Sequence, residues 1–413
     1  MPNISANWQI DHQCPQCGAP VTLDETDHLL LCPYCRNKLY LITDGCFRYC
    51  IPPPPETRSQ DIFYMPYWRV RGLSYSVEMQ EVTNRFFDTN TLAIDVKGIP
   101  NSLGLRPQAM RLRFMSPEMG GRFLDPGISA GSVMQRLSAG SAKAFHQAFI
   151  GEMVSLIYSP MYLQNDVIYD AVLQRPLSRL KAEDIPEISA SGNMKKLHLS
   201  FQQTLCPQCG WDTQGEKNAL VMICRNCDSA WTFKAAGGEK VPFKIMVDGT
   251  DASTNAVYLP FWRMRVGIEG IAIDSYADMI RVGNLPKVVT AAFEETPLYF
   301  WSPAFKVNPA LFLRWSRQMT IYQPEGRTSD TFPEAVPRPV TLPVSEALES
   351  IIVTLASIIN DKRRLLPILP QVRVTLDEFL LVYHPFVISR NELVHAKMGL
   401  TIDKNALEFG IQL

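Results

Sequence analysis

Apolar and polar positions alternate with a period of two over Phe63 to Arg71 and again over Val257 to Arg265, the pattern of a half-buried strand. Tyr64 and Trp68 share one face of the first segment, Tyr258 and Trp262 one face of the second, and those faces are expected in the core. The opposite faces carry Tyr67, Arg69 and Arg71, and Phe261, Arg263 and Arg265. Helical spacing is found over Ala142 to Ile150 and over Ser345 to Asn360, with Ser345 placed as an N-cap. Met153 to Val172 and Glu378 to Thr401 read as hairpins that turn near Asn165-Asp166 and Arg390-Asn391. Gln323 to Pro343 holds five prolines without an apolar period and reads as an exposed loop. Together these elements predict an α+β chain whose bodies are mostly antiparallel sheet with one helix each.

The same elements occur twice. CPQCG at residues 14–18 recurs letter for letter at 206–210, an offset of 192. Tyr64-Met-Pro-Tyr-Trp-Arg-Val-Arg71 returns as Tyr258-Leu-Pro-Phe-Trp-Arg-Met-Arg265, Ser116-Pro117 as Ser302-Pro303, and Tyr158-Ser-Pro160 as Tyr383-His-Pro385. A tandem duplication is therefore expected. Its parts are a cysteine ribbon at 1–50, a body at 56–195, a second ribbon at 196–236 and a second body at 240–413, with a proline-rich insertion at 323–343. Pro52 to Pro55 would act as a stiff spacer holding the first ribbon off its body, and Ala235 to Gly238 as a pliant one.

Eight of the ten cysteines form two matched quartets: Cys14, Cys17, Cys32 and Cys35, then Cys206, Cys209, Cys224 and Cys227. Each quartet is two C-x2-C knuckles with 14 residues between them, which suits tetrahedral thiolate coordination of one structural Zn²⁺, two ions per chain. Such a closed shell has no position for a reactive water. Zinc would contribute on the order of 10 kcal/mol or more to folding each small ribbon. Iron in a rubredoxin-like centre and plain buried thiols are the competing readings. Cys46 and Cys50 are left over; an offset of 192 sets Gly238 and Pro242 opposite them. They are either two small buried apolar groups or an extension of the first metal site.

The repeated Arg-x-Arg pairs, Arg69 with Arg71 and Arg263 with Arg265, are candidate partner-binding residues, because side chains two apart on a strand project to one side. In the competing reading, acids such as Glu78 or Asp274 neutralise them within the sheet. Trp68 and Trp262 are expected to pack in the core, with exposed stacking platforms as the alternative.

At 413 residues the chain suits about two to four domains. Acidic and basic residues number 41 and 40, without the basic excess of a phosphate-gripping protein. The start shows no secretory pattern and no apolar run reaches membrane-spanning length, so a soluble, cytoplasmic chain with reduced cysteines is expected. The six histidines are scattered without an HExxH pairing, and no GxSxG, Walker A or GxGxxG stands where a strand meets a helix.

The CPxCG knuckles and the Tyr258-Leu-Pro-Phe-Trp262 strand, with Tyr64-Met-Pro-Tyr-Trp68 close to it, resemble uncharacterised bacterial zinc-ribbon proteins, often labelled TFIIB-type. The closing Tyr158-Ser-Pro160 and Tyr383-His-Pro385 depart from that family's Tyr-Tyr-Pro hairpin. The resemblance implies a bacterial, cytosolic accessory protein. Three functional classes follow: a non-enzymatic adaptor for protein partners within a multisubunit or membrane-associated assembly, a nucleic-acid-binding accessory factor using the ribbons and arginine pairs, and an enzyme whose site assembles only in the fold. The first is the expectation, with no catalytic residues.

Overall fold

The structure, a computed structural model, describes residues 8–43, 45–57, 61–104, 111–115, 119, 121–138, 144–179, 199–247 and 256–410. It is mixed α+β, mostly strands, and divides into two compact units. One comprises Met1–Arg71, Phe87–Gly140 and Glu152–Gln203, the other Gly72–Phe86, Ser141–Gly151 and Thr204–Leu413.

In the first unit, Gln9–Gln13 pairs antiparallel with Pro20–Asp24, and Leu29–Leu31 with Lys38–Ile42. The cysteine knuckles lie in the two turns. Ser200–Gln203 adds a third strand on Lys38–Ile42. Ile62–Val77 is buried along almost its whole length. Phe63, Met65 and Tyr67 pack with Trp8, Ile10, Cys14 and Cys32, while Tyr64, Trp68 and Val70 pack with Phe123, Val133 and Leu156. The face expected to be open is thus covered by the ribbon. The ribbon also joins the core of its body directly, so Pro52 to Pro55 does not hold it at a distance. Phe47–Cys50 runs parallel to His146–Gln164, with Cys50 opposite Tyr158. That long strand then returns as Val167–Asp170 through Asn165 and Asp166 at φ 51° and 60°, the left-handed pair that a two-residue hairpin turn requires.

The second unit is built on Ala256–Glu269, antiparallel to Arg373–Ser389 along its whole length with a bulge after Arg265. Phe243–Met246 lies parallel on the other side of Arg373–Ser389, and Phe300–Pro303 edges the sheet beside Phe261 to Met264. The helices Pro309–Tyr322 and Val344–Ile358 cover it, filling the core with Trp315, Met319, Ile351 and Leu355.

Several expectations change. Of Ala142 to Ile150, His146–Ile150 opens the strand His146–Gln164 rather than a helix, with Ala148 and Ile150 buried on alternate positions. Aromatic and β-branched side chains there pack better on a pleat, and Phe145 N–H already bonds the Val77 carbonyl in register. Among the described residues the first half's α-helix is Ala130–Ser138, and the second body holds several helices rather than one. Val344–Ile358 starts from Pro343 with no side-chain cap, so Ser345 sits inside the first turn. The insertion 323–343 is irregular and exposed over much of 325–336, as expected, but it is anchored to the body. Thr328–Ser329 pairs with Phe243–Met246, Phe332 stacks on Phe243 at 4.3 Å, and Val340 and Leu342 are buried. Ser116 and Pro117 lie outside the described residues, and no described helix is long and apolar enough to cross a membrane.

Candidate metal centres

Three of the four knuckles are closed by the same backbone hydrogen bond. Gly18 N–H bonds Cys14 O at 2.8 Å, Arg36 N–H bonds Cys32 O at 2.9 Å, and Gly210 N–H bonds Cys206 O at 2.8 Å. The residue after each second cysteine has positive φ: Gly18 75°, Arg36 60°, Gly210 73° and Asp228 45°. That left-handed step turns the chain so that both sulfurs of a C-x2-C point inward. Glycine takes it without strain in the first knuckles, whereas Arg36 and Asp228 accept a modest cost in the second.

The knuckles meet as two quartets whose four ligand atoms all lie within 4.8 Å of one another. Cys14 Sγ is 3.8 Å from Cys35 Sγ and Cys17 Sγ 3.7 Å from Cys32 Sγ; Cys206 to Cys227 is 3.6 Å and Cys209 to Cys224 is 3.5 Å. A tetrahedron with metal–sulfur bonds near 2.3 Å has edges of about 3.8 Å, so these separations fit one ion per quartet. They are far too long for disulfides, and all ten cysteines are free. Both quartets show the same burial, with the first cysteine of each knuckle buried and Cys17 and Cys209 exposed.

The thiols titrate unequally. The Cys35 amide and neighbouring donors lower Cys32 to about 6. Burial pushes Cys206 up, but the Cys209 and Gln208 amides outweigh it and bring it to about 6. Cys35 is pushed up to about 12: the Asn37 amide opposes the rise, and burial and the neighbouring thiols cause it. Cys224 is pushed up to about 12, first by burial. Without a cation, the first thiolate keeps protons on its neighbours; a dication would remove that penalty.

The second quartet has an outer layer that the sequence did not reveal. Buried Ser229 places its hydroxyl 3.0 Å from Cys227 Sγ and 3.7 Å from Cys206 Sγ, and accepts a bond from Trp231 Nε1 at 2.8 Å. Such contacts orient the ligands and tune their charge. Only their position directly after a knuckle hinted at the role.

The four arginines part company. Arg69 and Arg71 are each 2% exposed. Both bond the carboxylate of Glu25, itself 3% exposed, with Arg71 Nη1 at 2.6 Å from Oε1. Arg69 also forks onto Asp88 at 3.0 and 2.8 Å and lies 3.5 Å over the Trp8 ring. Arg263 is half-buried, 3.9 Å from Glu378 and 4.4 Å over Tyr299, and Arg265 is exposed. The acids involved are Glu25, Asp88 and Glu378 rather than Glu78 or Asp274.

Trp68 and Trp262 are core residues, each donating its ring N–H to a carbonyl: Ile128 at 2.6 Å and Leu342 at 2.8 Å. Cys50 belongs to neither quartet; its sulfur is 3.6 Å from Met119 Sδ and burial pushes its thiol up to about 12. Burial raises Cys46 as well. Strand register pairs Cys50 with Tyr158 and Ile245 with Tyr383, so Ile245, not Pro242, occupies the position matching Cys50. His384 and Ser159, at matching Tyr-x-Pro positions, are both buried without a hydrogen-bond partner. Both quartets fit zinc-ribbon-like motifs. No protein-family model, curated protein or solved structure matches the chain.

Proposed function

We propose that the chain is a non-enzymatic cytoplasmic adaptor, a tandem duplication in which two structural zinc ions stiffen ribbons that present contact surfaces to protein partners. Four thiolates per site favour zinc and leave it no open position for chemistry. Duplication is supported by matched local bonds: Ala93 N–H to Pro66 O at 2.9 Å and Ala304 N–H to Pro260 O at 3.0 Å, beside the two tryptophan bonds.

The observation that carries the adaptor reading is at the ribbon surfaces. Before and within a knuckle of the first ribbon, Leu31 and Tyr34 are 49% and 66% exposed; on either side of a knuckle of the second, Leu205 and Trp211 are 43% and 62% exposed. Large apolar side chains on a metal-stiffened turn lose little entropy on docking, and aromatic anchors of this kind dominate protein interfaces. Burial of Arg69 and Arg71 removes half of the arginines that a nucleic-acid surface would use.

The test is affinity capture from native lysate with the full chain and with Tyr34→Ser/Trp211→Ser. Partners held by the wild type and lost by the variant, at unchanged zinc content, are expected. Identical capture by both would remove the adaptor surface. Binding of single or double strands that falls steeply with salt would favour the nucleic-acid class instead.

A further inference from the structure

Beyond the ribbons, the second unit carries a groove of about 650 Å³ along the outer face of the helix Pro309–Tyr322. Lining residues run from Ala310 to Tyr322, about 18 Å of helix. Half-buried Leu313, Ile321 and Met398 give it an apolar floor. Three cations stand along it and no carboxylate lines it among the described residues. Arg314 gives one long bond of 3.4 Å to the Thr401 carbonyl, and Arg317 is exposed. Lys287 sits at the Ile321 end, donating to the Tyr276 hydroxyl at 2.5 Å, and Tyr276 in turn donates to Ile321 O at 2.8 Å.

We propose that this groove docks an acidic amphipathic helix of a protein partner, its apolar stripe on Leu313 and Ile321 and its carboxylates on Arg314, Arg317 and Lys287. The choice of a protein ligand rests on the adaptor reading. The shape and charge argue for it over a small anion. A single head group needs its cations gathered at one point, whereas here Arg314 and Arg317 share one turn and Lys287, through Tyr276, stands beside Ile321 about one turn further along, so the charge is strung along the groove. Uncompensated cations beside an apolar floor also select against a basic helix of the same pattern.

The experiment titrates the full chain with a synthetic helix bearing leucines on one face and glutamates on its flanks. Its counterpart with lysines for glutamates, and decanoate, are the other probes. Saturable binding of the glutamate peptide alone is expected, weakened at least about tenfold in Arg314→Glu/Arg317→Glu, whose thermal unfolding should match the wild type because both side chains are exposed. Equal binding of the lysine peptide, or undiminished binding by the variant, overturns the proposal. Binding of decanoate without the peptide does so too, assigning the groove to a small amphiphile. Tyr34→Ser/Trp211→Ser should bind the peptide normally. Peptide failure with intact ribbon capture therefore removes the groove alone, and the reverse result removes the ribbon surface alone.

Discussion

Ile62–Val77 and Ala256–Glu269 begin with nearly the same letters, yet their arginines do different work. In the first strand Arg69 and Arg71 are sealed beneath the ribbon, converging on one buried carboxylate, Glu25. In the second, Arg263 is half-buried against Tyr299 and a distant Glu378, and Arg265 reaches solvent. The strands do not cause this; their covers do. Counted from the cysteines at an offset of 192, Glu25 is matched by Lys217 and Trp8 by Ser200, so the second ribbon brings neither the acid nor the aromatic ring. A pair of strand arginines is thus an internal clamp where its cover supplies Glu25, Asp88 and Trp8, and is left half-buried or exposed where the cover supplies only Glu378 and Tyr299.

The largest effect that can probe this comparison is metal removal, because both ribbons contribute core residues. Stripping the ions with a strong chelator should cost each ribbon on the order of 10 kcal/mol and expose both cores in calorimetry. An unchanged transition would show that the clamp alone holds the first ribbon. Next comes Glu25→Gln, which leaves two arginines buried without their shared charge. It should cost about 3–5 kcal/mol in chemical denaturation, against less than about 1 kcal/mol for Glu378→Gln. Equal losses would erase the contrast.

Where the halves agree, the effects should agree too. Trp68→Phe and Trp262→Phe each leave a carbonyl without its donor, and each should cost about 1–3 kcal/mol. A large disparity would mean that one bond is incidental. The smallest effect separates the Tyr-x-Pro positions. Burial, and then the charge of His395, hold His384 well below the usual histidine value. The unfolded chain therefore takes up the proton first. Stability from this group is complete above about pH 6.5 and falls as the pH drops below it, by at most about 1.4 kcal/mol per pH unit. His384→Leu should flatten that acid limb, whereas Ser159→Ala in the first half should not; an unaltered slope in His384→Leu would place the proton elsewhere.

Much of the site was legible because it is local. C-x2-C spacing, the glycines at 18 and 210 and the Asn165-Asp166 turn are short-range constraints that the chain must meet within a few residues. The tryptophan faces followed from strand alternation. What the letters hid is what covers each face. Alternation over Phe63 to Arg71 implied one open side, but burial on both sides left the period intact while the arginines found Glu25 more than 40 positions away. The segment His146–Ile150 carries apolar residues that suit either period, and sheet register decided it. In 323–343 the prolines masked Phe332, Val340 and Leu342, which are too widely spaced to form a periodic signal but enough to anchor the insertion.

The most direct measurement is metal content per chain. Elemental analysis of natively prepared protein should find two zinc ions, falling to one in Cys17→Ser/Cys32→Ser and to one in Cys209→Ser/Cys224→Ser. Absence of zinc, its replacement by iron with a coloured thiolate spectrum, or two ions persisting in either variant would contradict the assignment of one closed zinc site to each ribbon.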